Sequence, residues 1–162
     1  MEAVAVFQGG PVQGEAVAKQ KVGGVEILAS FTKLPKGKHG FHIHKAGDLR
    51  GEGCMGACEH FHKGAPCDHG DRPGTKGPRH TGDLGNIDTT NHTYSYFLKH
   101  VTVKELLGRS LIVHGDEDDL GLGEFPDSKT TGHSGARIAC AIFGRTLCKK
   151  NIKTRKAKRI RY

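Results

Sequence analysis

The run His39-Gly-Phe-His-Ile-His44 places two imidazoles, His42 and His44, one residue apart. In an extended strand alternate side chains leave by opposite faces, so Phe41 and Ile43 point one way and both histidines the other. Two apolar groups then enter a core while two neutral nitrogen donors are presented outside it. Imidazole suits copper and zinc. Further along stand His60, His69, His80, Asp83 and His114, separated by glycine-rich segments. Together these side chains supply enough ligands for two metal ions.

Positioning them requires strands. Val4 and Val6, and then Val25, Ile27, Ala29 and Phe31, alternate with other residues at period two. Gly9-Gly-Pro11 and Val22-Gly-Gly24 read as turns between such strands. Residues 41–44, 93–97, 111–114 and 138–143 read as further short strands, and 103–107 as a helical turn that Gly108 cuts short. Two long segments, about residues 47–82 and 115–136, are poor in regular structure, and loops of that length are usually functional. Short strands, turn signals and no long amphipathic helix predict an all-β sandwich or barrel.

The 162 residues fit one domain. Its net charge of +8 is local: eight of the 25 Lys and Arg lie in 149–162, a stretch without acids. Residues 1–148 then hold 17 basic and 17 acidic side chains and are formally neutral. The expected organisation is a domain over 1–148 and a disordered basic tail over 149–162, open to nucleic acid or another polyanion. No apolar run is long enough to span a bilayer. The first residues lack a basic n-region and alternate like a strand, so the expected location is the cytoplasm, with the nucleus as an option opened by the tail.

Four motifs stand in order: His39-Gly-Phe-His-Ile-His-Lys-Ala-Gly-Asp48, His80-Thr-Gly-Asp-Leu-Gly-Asn86, Val113-His-Gly-Asp-Glu-Asp-Asp-Leu-Gly121 and Gly132-His-Ser-Gly-Ala-Arg-Ile-Ala-Cys140. Together they give the chain a resemblance to the copper–zinc superoxide dismutases. The resemblance implies an eight-stranded antiparallel Greek-key β-barrel with long zinc and electrostatic loops. It implies a copper ion on His42, His44, His60 and His114, and a zinc ion on His60, His69, His80 and Asp83. The His60 imidazolate would bridge the two ions and carry a proton during turnover. Asp118 would link a copper histidine to a zinc histidine, and Arg137 would hold anionic superoxide beside copper. Cys54 and Cys140 would form a disulfide. The resemblance also implies a homodimer with an apolar patch that Ile142 and Phe143 fit and Arg145 does not, and it makes a copper chaperone a candidate partner.

The chain departs from the family in its zinc loop, which reads Ala57-Cys-Glu-His-Phe-His62, and in slightly long spacings between His60, His69 and His80. His62 is a further imidazole there, read as a loop-surface residue, and His39, His92, His100 and His133 are read as structural or exposed. Cys58 and Cys67 have no usual counterpart; a second bridge between them is the favoured expectation, with free thiols or copper trapping as alternatives, and Cys148 is expected free. The loop lysine, Lys129, is displaced by one place and Asp116 stands where many relatives carry another lysine, which predicts slower capture of superoxide or capture that depends more on Arg137. The alternatives to an enzyme are a copper-binding chaperone and an inactive dismutase-like decoy. The intact ligand set, and the absence from this sequence of the chaperone's Met-x-Cys-x-x-Cys and Cys-x-Cys motifs, weigh against them.

Overall fold

A computed structural model describes residues 1–147 of the chain, and there the polypeptide is almost entirely antiparallel β. One sheet is built from β1 (Glu2–Phe7), β2 (Gln13–Lys21), β3 (Gly24–Lys33), β6 (Thr93–Lys99) and β9 (Gly144–Arg145), in the order β6-β3-β2-β1-β9. The other contains β4 (Lys38–His44), β5 (Asp83–Asp88), β7 (Ser110–His114) and β8 (Arg137–Ile142), in the order β5-β4-β7-β8. The strands number nine rather than eight because the last one breaks at Phe143: its first part pairs with β7 and its last two residues pair with β1. The two sheets share one apolar core and stay separate as hydrogen-bonded ladders.

Strand 3 follows the alternation in the sequence, with Val25, Ile27, Ala29 and Phe31 all buried. Strand 1 reverses it. Ala3, Ala5 and Phe7 face the core, whereas Val6 is 43% exposed. The reason lies in the neighbouring strand, whose inward residues are Ala16 and Ala18. Small side chains on both strands leave room for large ones opposite, and Phe7, Phe31 and Phe41 fill it with ring centroids 5.6 to 6.5 Å apart. Phe143 is also buried in this core. That corrects its expected place on an apolar outer patch; of that pair only Ile142, 41% exposed, remains outside.

The helical turn α1 (Val103–Leu106) is started by a capping box, in which Thr102 Oγ1 accepts from the Glu105 N–H and Glu105 Oε2 accepts from the Thr102 N–H. Both long segments expected to lack regular structure do so, apart from a 3-10 turn at Glu52–Ala57 and the short α2 (Ser128–Thr131). No helix among the described residues is long and apolar enough to cross a membrane. The basic tail and Cys148 fall outside the described residues.

Candidate metal centre

Strand 4 carries the site. Phe41 and Ile43 are buried in the core, and His42 and His44 on the opposite face are buried too, at 0% and 1% exposure. The two long loops cover that face. Residues 57–61 are laid along the strand by the Lys45 N–H to Glu59 O, Ala46 N–H to Ala57 O and Phe61 N–H to Ile43 O bonds, which bring His60 beside His44. His114 ends β7, paired next to β4, and Asp83 begins β5 on its other side.

Two ligand groups of four result. His42, His44, His60 and His114 have ligand atoms within 4.8 Å of one another, as do His60, His69, His80 and Asp83. His60 belongs to both. The expected ligand residues lie in these two groups, and a third group within the same distance, His42, His69 and Asp118, links them.

The outer nitrogens show how each ring is set. His42 Nε2–H donates to Asp118 Oδ2 at 2.7 Å and His69 Nε2–H to Asp118 Oδ1 at 2.8 Å. His44 Nδ1–H donates to the Cys58 carbonyl at 2.8 Å, His80 Nε2–H to the Cys67 carbonyl at 3.1 Å, and His114 Nδ1–H to the Gly135 carbonyl at 3.3 Å. A carbonyl or carboxylate oxygen only accepts, so each of these nitrogens carries a proton, and in the neutral ring the other nitrogen keeps a lone pair. Those inner nitrogens face one another. His42 Nδ1, His60 Nε2, His69 Nδ1 and His80 Nδ1 are buried without a hydrogen-bond partner. Orphaned buried acceptors are costly unless something satisfies them, and a cation fits each of these positions. His60 differs from the rest: its only hydrogen-bond partner among the described residues is Asp83, itself a member of the second group of four. Its Nδ1 meets Asp83 Oδ1 at 2.8 Å and its Nε2 lies with the first group.

Asp83 Oδ1 is also 3.0 Å from His69 Nδ1 and 3.4 Å from His80 Nδ1, so one carboxylate oxygen meets all three histidines of its group. Three nitrogens and one carboxylate make a closed set suited to zinc. Asp83 Oδ2 is fixed by the backbone N–H groups of Gly70 (3.1 Å) and His80 (2.6 Å). Burial works to raise the Asp83 carboxyl, but its hydrogen bonds with His60, His69 and His80 prevail and hold it well below the usual carboxylate range. Burial pushes His42, His44 and His60 below the ordinary histidine range and brings His114 down to about 4. Neutral rings are the form that binds metal.

Arg137, at the start of β8, lines a cleft together with His44, His60 and His114. Its guanidinium donates to the carbonyls of Cys54 (2.9 Å), Met55 (3.3 Å) and Cys58 (2.6 Å). Cys54 is disulfide-bonded to Cys140 in the same strand, as expected, so the turn and the arginine are fastened together twice.

The second bridge is not formed. Cys58 and Cys67 are both free. Cys58 lines the same cleft as Arg137, whereas Cys67 lies off it and donates to the Arg79 carbonyl at 3.3 Å. His62 spends both nitrogens on the loop itself, Nε2–H on the Ala65 carbonyl and Nδ1 on the Thr81 N–H, so it competes for neither group of ligands. His39 is buried and donates from Nδ1 to the His114 carbonyl, and His133 is paired with Asp127.

Sequence reasoning missed three residues that hold the site. Asn86 grips the Asp118 backbone from both sides, Oδ1 accepting its N–H and Nδ2 donating to its carbonyl, each at 2.8 Å. Its place in the His80–Asn86 motif was the available signal. Gly132, at φ 70°, has no room for a side chain against Asp118 and His69. Cys58 acts through its backbone, its carbonyl serving His44 and Arg137 together.

Fold and site define a β protein with two adjoining metal-ligand sets joined through one histidine. A family model described as copper/zinc superoxide dismutase matches residues 12–143, so the chain belongs to the copper/zinc superoxide dismutase family. Among its relatives is a Cu-Zn superoxide dismutase of Paramecium bursaria Chlorella virus 1, 40% identical over 89% of this chain and 78% of its own length. Superoxide dismutase [Cu-Zn] 5 of Dictyostelium discoideum is 37% identical over 88% of this chain and 97% of its own. An extracellular Cu-Zn superoxide dismutase of Haemonchus contortus is 44% identical over 74% of this chain and 67% of its own.

Proposed function

We propose that this protein dismutates superoxide to dioxygen and hydrogen peroxide, with copper on His42, His44, His60 and His114 and zinc on His60, His69, His80 and Asp83. The observation that carries the reading is the set of inner nitrogens: outer nitrogens are anchored, inner ones are bare, and His60 alone serves both groups. A bound copper ion supplies one-electron exchange with superoxide, and a bound zinc ion supplies a redox-inert charge that fixes geometry. The residues do the rest. Arg137 attracts the anion into the cleft and orients it against His44, His60 and His114. His60 Nε2 is the atom that takes up a proton and returns it for peroxide formation. Asp118 keeps His42 and His69 in the tautomers that ligation needs.

The test is stepwise loading of the metal-free protein with a superoxide assay after each addition. Activity should be absent with zinc alone and appear with one equivalent of copper; stoichiometric copper and zinc without turnover would refute the reading and favour a decoy or copper carrier. The reading extends to a homodimer, loading by a copper chaperone, residence in the cytoplasm or nucleus, and contact of the basic tail with a polyanion. Exposed Ile142 supports the dimer, and the charge of 149–162 supports the last. Sedimentation of the full chain, and of the chain cut at 148, with and without nucleic acid, tests both.

A further inference from the structure

The cleft that leads to the copper ligands has sulfur on its wall. Met55, 66% exposed, and Cys58, a free and exposed thiol, line the same cleft as His44, His60 and His114, a space of about 570 Å³. They stand three residues apart, and the Cys58 N–H donates to the Met55 carbonyl at 3.4 Å as the 3-10 turn ends. Met55 lies inside the turn and Cys58 caps it at φ 64°, and both side chains reach the same cleft. Among the residues of the cleft, His60, a member of the four-histidine group, has its Nε2 buried and unpartnered. The turn itself is held by the Cys54–Cys140 disulfide and by Arg137, so the sulfur pair has a fixed place relative to the histidines. Both thiols donate to a carbonyl, Cys58 to Gly56 at 3.5 Å and Cys67 to Arg79 at 3.3 Å, but Cys67 lies off this cleft and so offers a built-in contrast.

Thioether and thiolate are soft ligands that select copper(I), whereas the four histidines below suit either copper oxidation state. We propose that Met55 and Cys58 form a landing site for copper(I), from which the ion passes to His44, His60 and His114. This rests on the copper assignment made above. No electron is transferred in the step. The Cys58 thiol gives up its proton as the copper–sulfur bond forms and recovers one when that bond is exchanged for nitrogen.

The experiment uses the full-chain, disulfide-intact protein carrying zinc and no copper. Copper(I) is offered as its bicinchoninate complex, and uptake is followed by loss of the coloured chelate. Replacing Met55→Leu and Cys58→Ser together should slow uptake about tenfold, the lower end of what losing a group that supports a metal site costs, with one copper per chain still bound at the end. Cys67→Ser should take up copper at the parent rate. A double variant that loads as fast as the parent, or a Cys67→Ser variant slowed equally, would overturn the proposal. A second reading guards against misfolding. With His44→Gln and His114→Gln, copper(I) should stay on the rim and show the ultraviolet absorption of a copper–thiolate bond, which adding Cys58→Ser removes; its absence in the histidine variant would also overturn the proposal. Failure of the dismutase reading would appear separately, as a fully loaded parent protein without turnover.

Discussion

The Asp118 carboxylate joins His42 to His69, accepting from one ring through Oδ2 at 2.7 Å and from the other through Oδ1 at 2.8 Å. One rigid group therefore sets a ring in each ligand set, and Asn86 in turn fixes its backbone. Asp118→Asn keeps the shape but presents an amide N–H to one of the two rings, which must then turn or lose its tautomer. Zinc or copper affinity should fall about 10–100-fold, measured by chelator competition, with the fold retained. Unchanged affinity for both metals would refute the linking role.

Arg137 is argued to attract the anion, so removing it should affect encounter. Arg137→Gln should lower the second-order dismutation rate about tenfold or more and flatten its decline with salt, measured by superoxide decay at several ionic strengths. The displaced Lys129 bears on the same property, since its ammonium donates to the Gly121 carbonyl. Thr130→Lys, which puts a lysine at the usual place, should raise the rate at low salt.

Cys54 and Cys140 close a loop across a sequence separation of 86 residues. In the chain-entropy account that constraint is worth about 4–5 kcal/mol, and its loss also frees the turn whose carbonyls hold Arg137. Cys140→Ser should therefore lower both the urea midpoint and the dismutation rate of the loaded protein. In the unreduced, denatured parent, Cys58 and Cys67 should both react with a thiol reagent.

The metal-free protein should lose stability in acid. Burial holds His42, His44 and His60 below the ordinary histidine value of 6.5 and His114 at about 4, and unfolding restores all four. Between those limits the unfolded chain binds more protons, so stability falls as the pH drops from about 6.5 toward about 4. His69 acts oppositely: burial works to lower it, but Asp118 and Asp83 outweigh burial and raise it to about 9. Its contribution is full below 6.5 and is lost as the pH rises through about 9. Denaturation midpoints of the metal-free chain should peak near neutrality; a profile rising steadily into acid would contradict this.

What the sequence made legible follows its periodicity. His42 and His44 against Phe41 and Ile43 are a strong signal because ligand and core residues alternate cleanly. Strand 2 was illegible because its inward residues are only Ala16 and Ala18, and strand 5 because its short run holds Asp83, Gly85 and Asn86 around just two buried apolar residues, Leu84 and Ile87. The same small alanines explain why Val4 and Val6 misled. Within the site, side-chain ligands could be read from motifs, whereas the Cys58 carbonyl could not, since a backbone acceptor has no residue type to betray it. The expected Cys58–Cys67 bridge failed because nearness in sequence does not say where a loop sends its thiols.

The central claim is that His60 serves two ions at once, and copper paramagnetic resonance tests it directly. With copper in the four-histidine set and cobalt(II) in place of zinc, a shared imidazole couples the two spins, and the copper signal should be strongly diminished relative to protein carrying copper and zinc. A copper signal of equal intensity in both samples would mean that the two metals do not share His60.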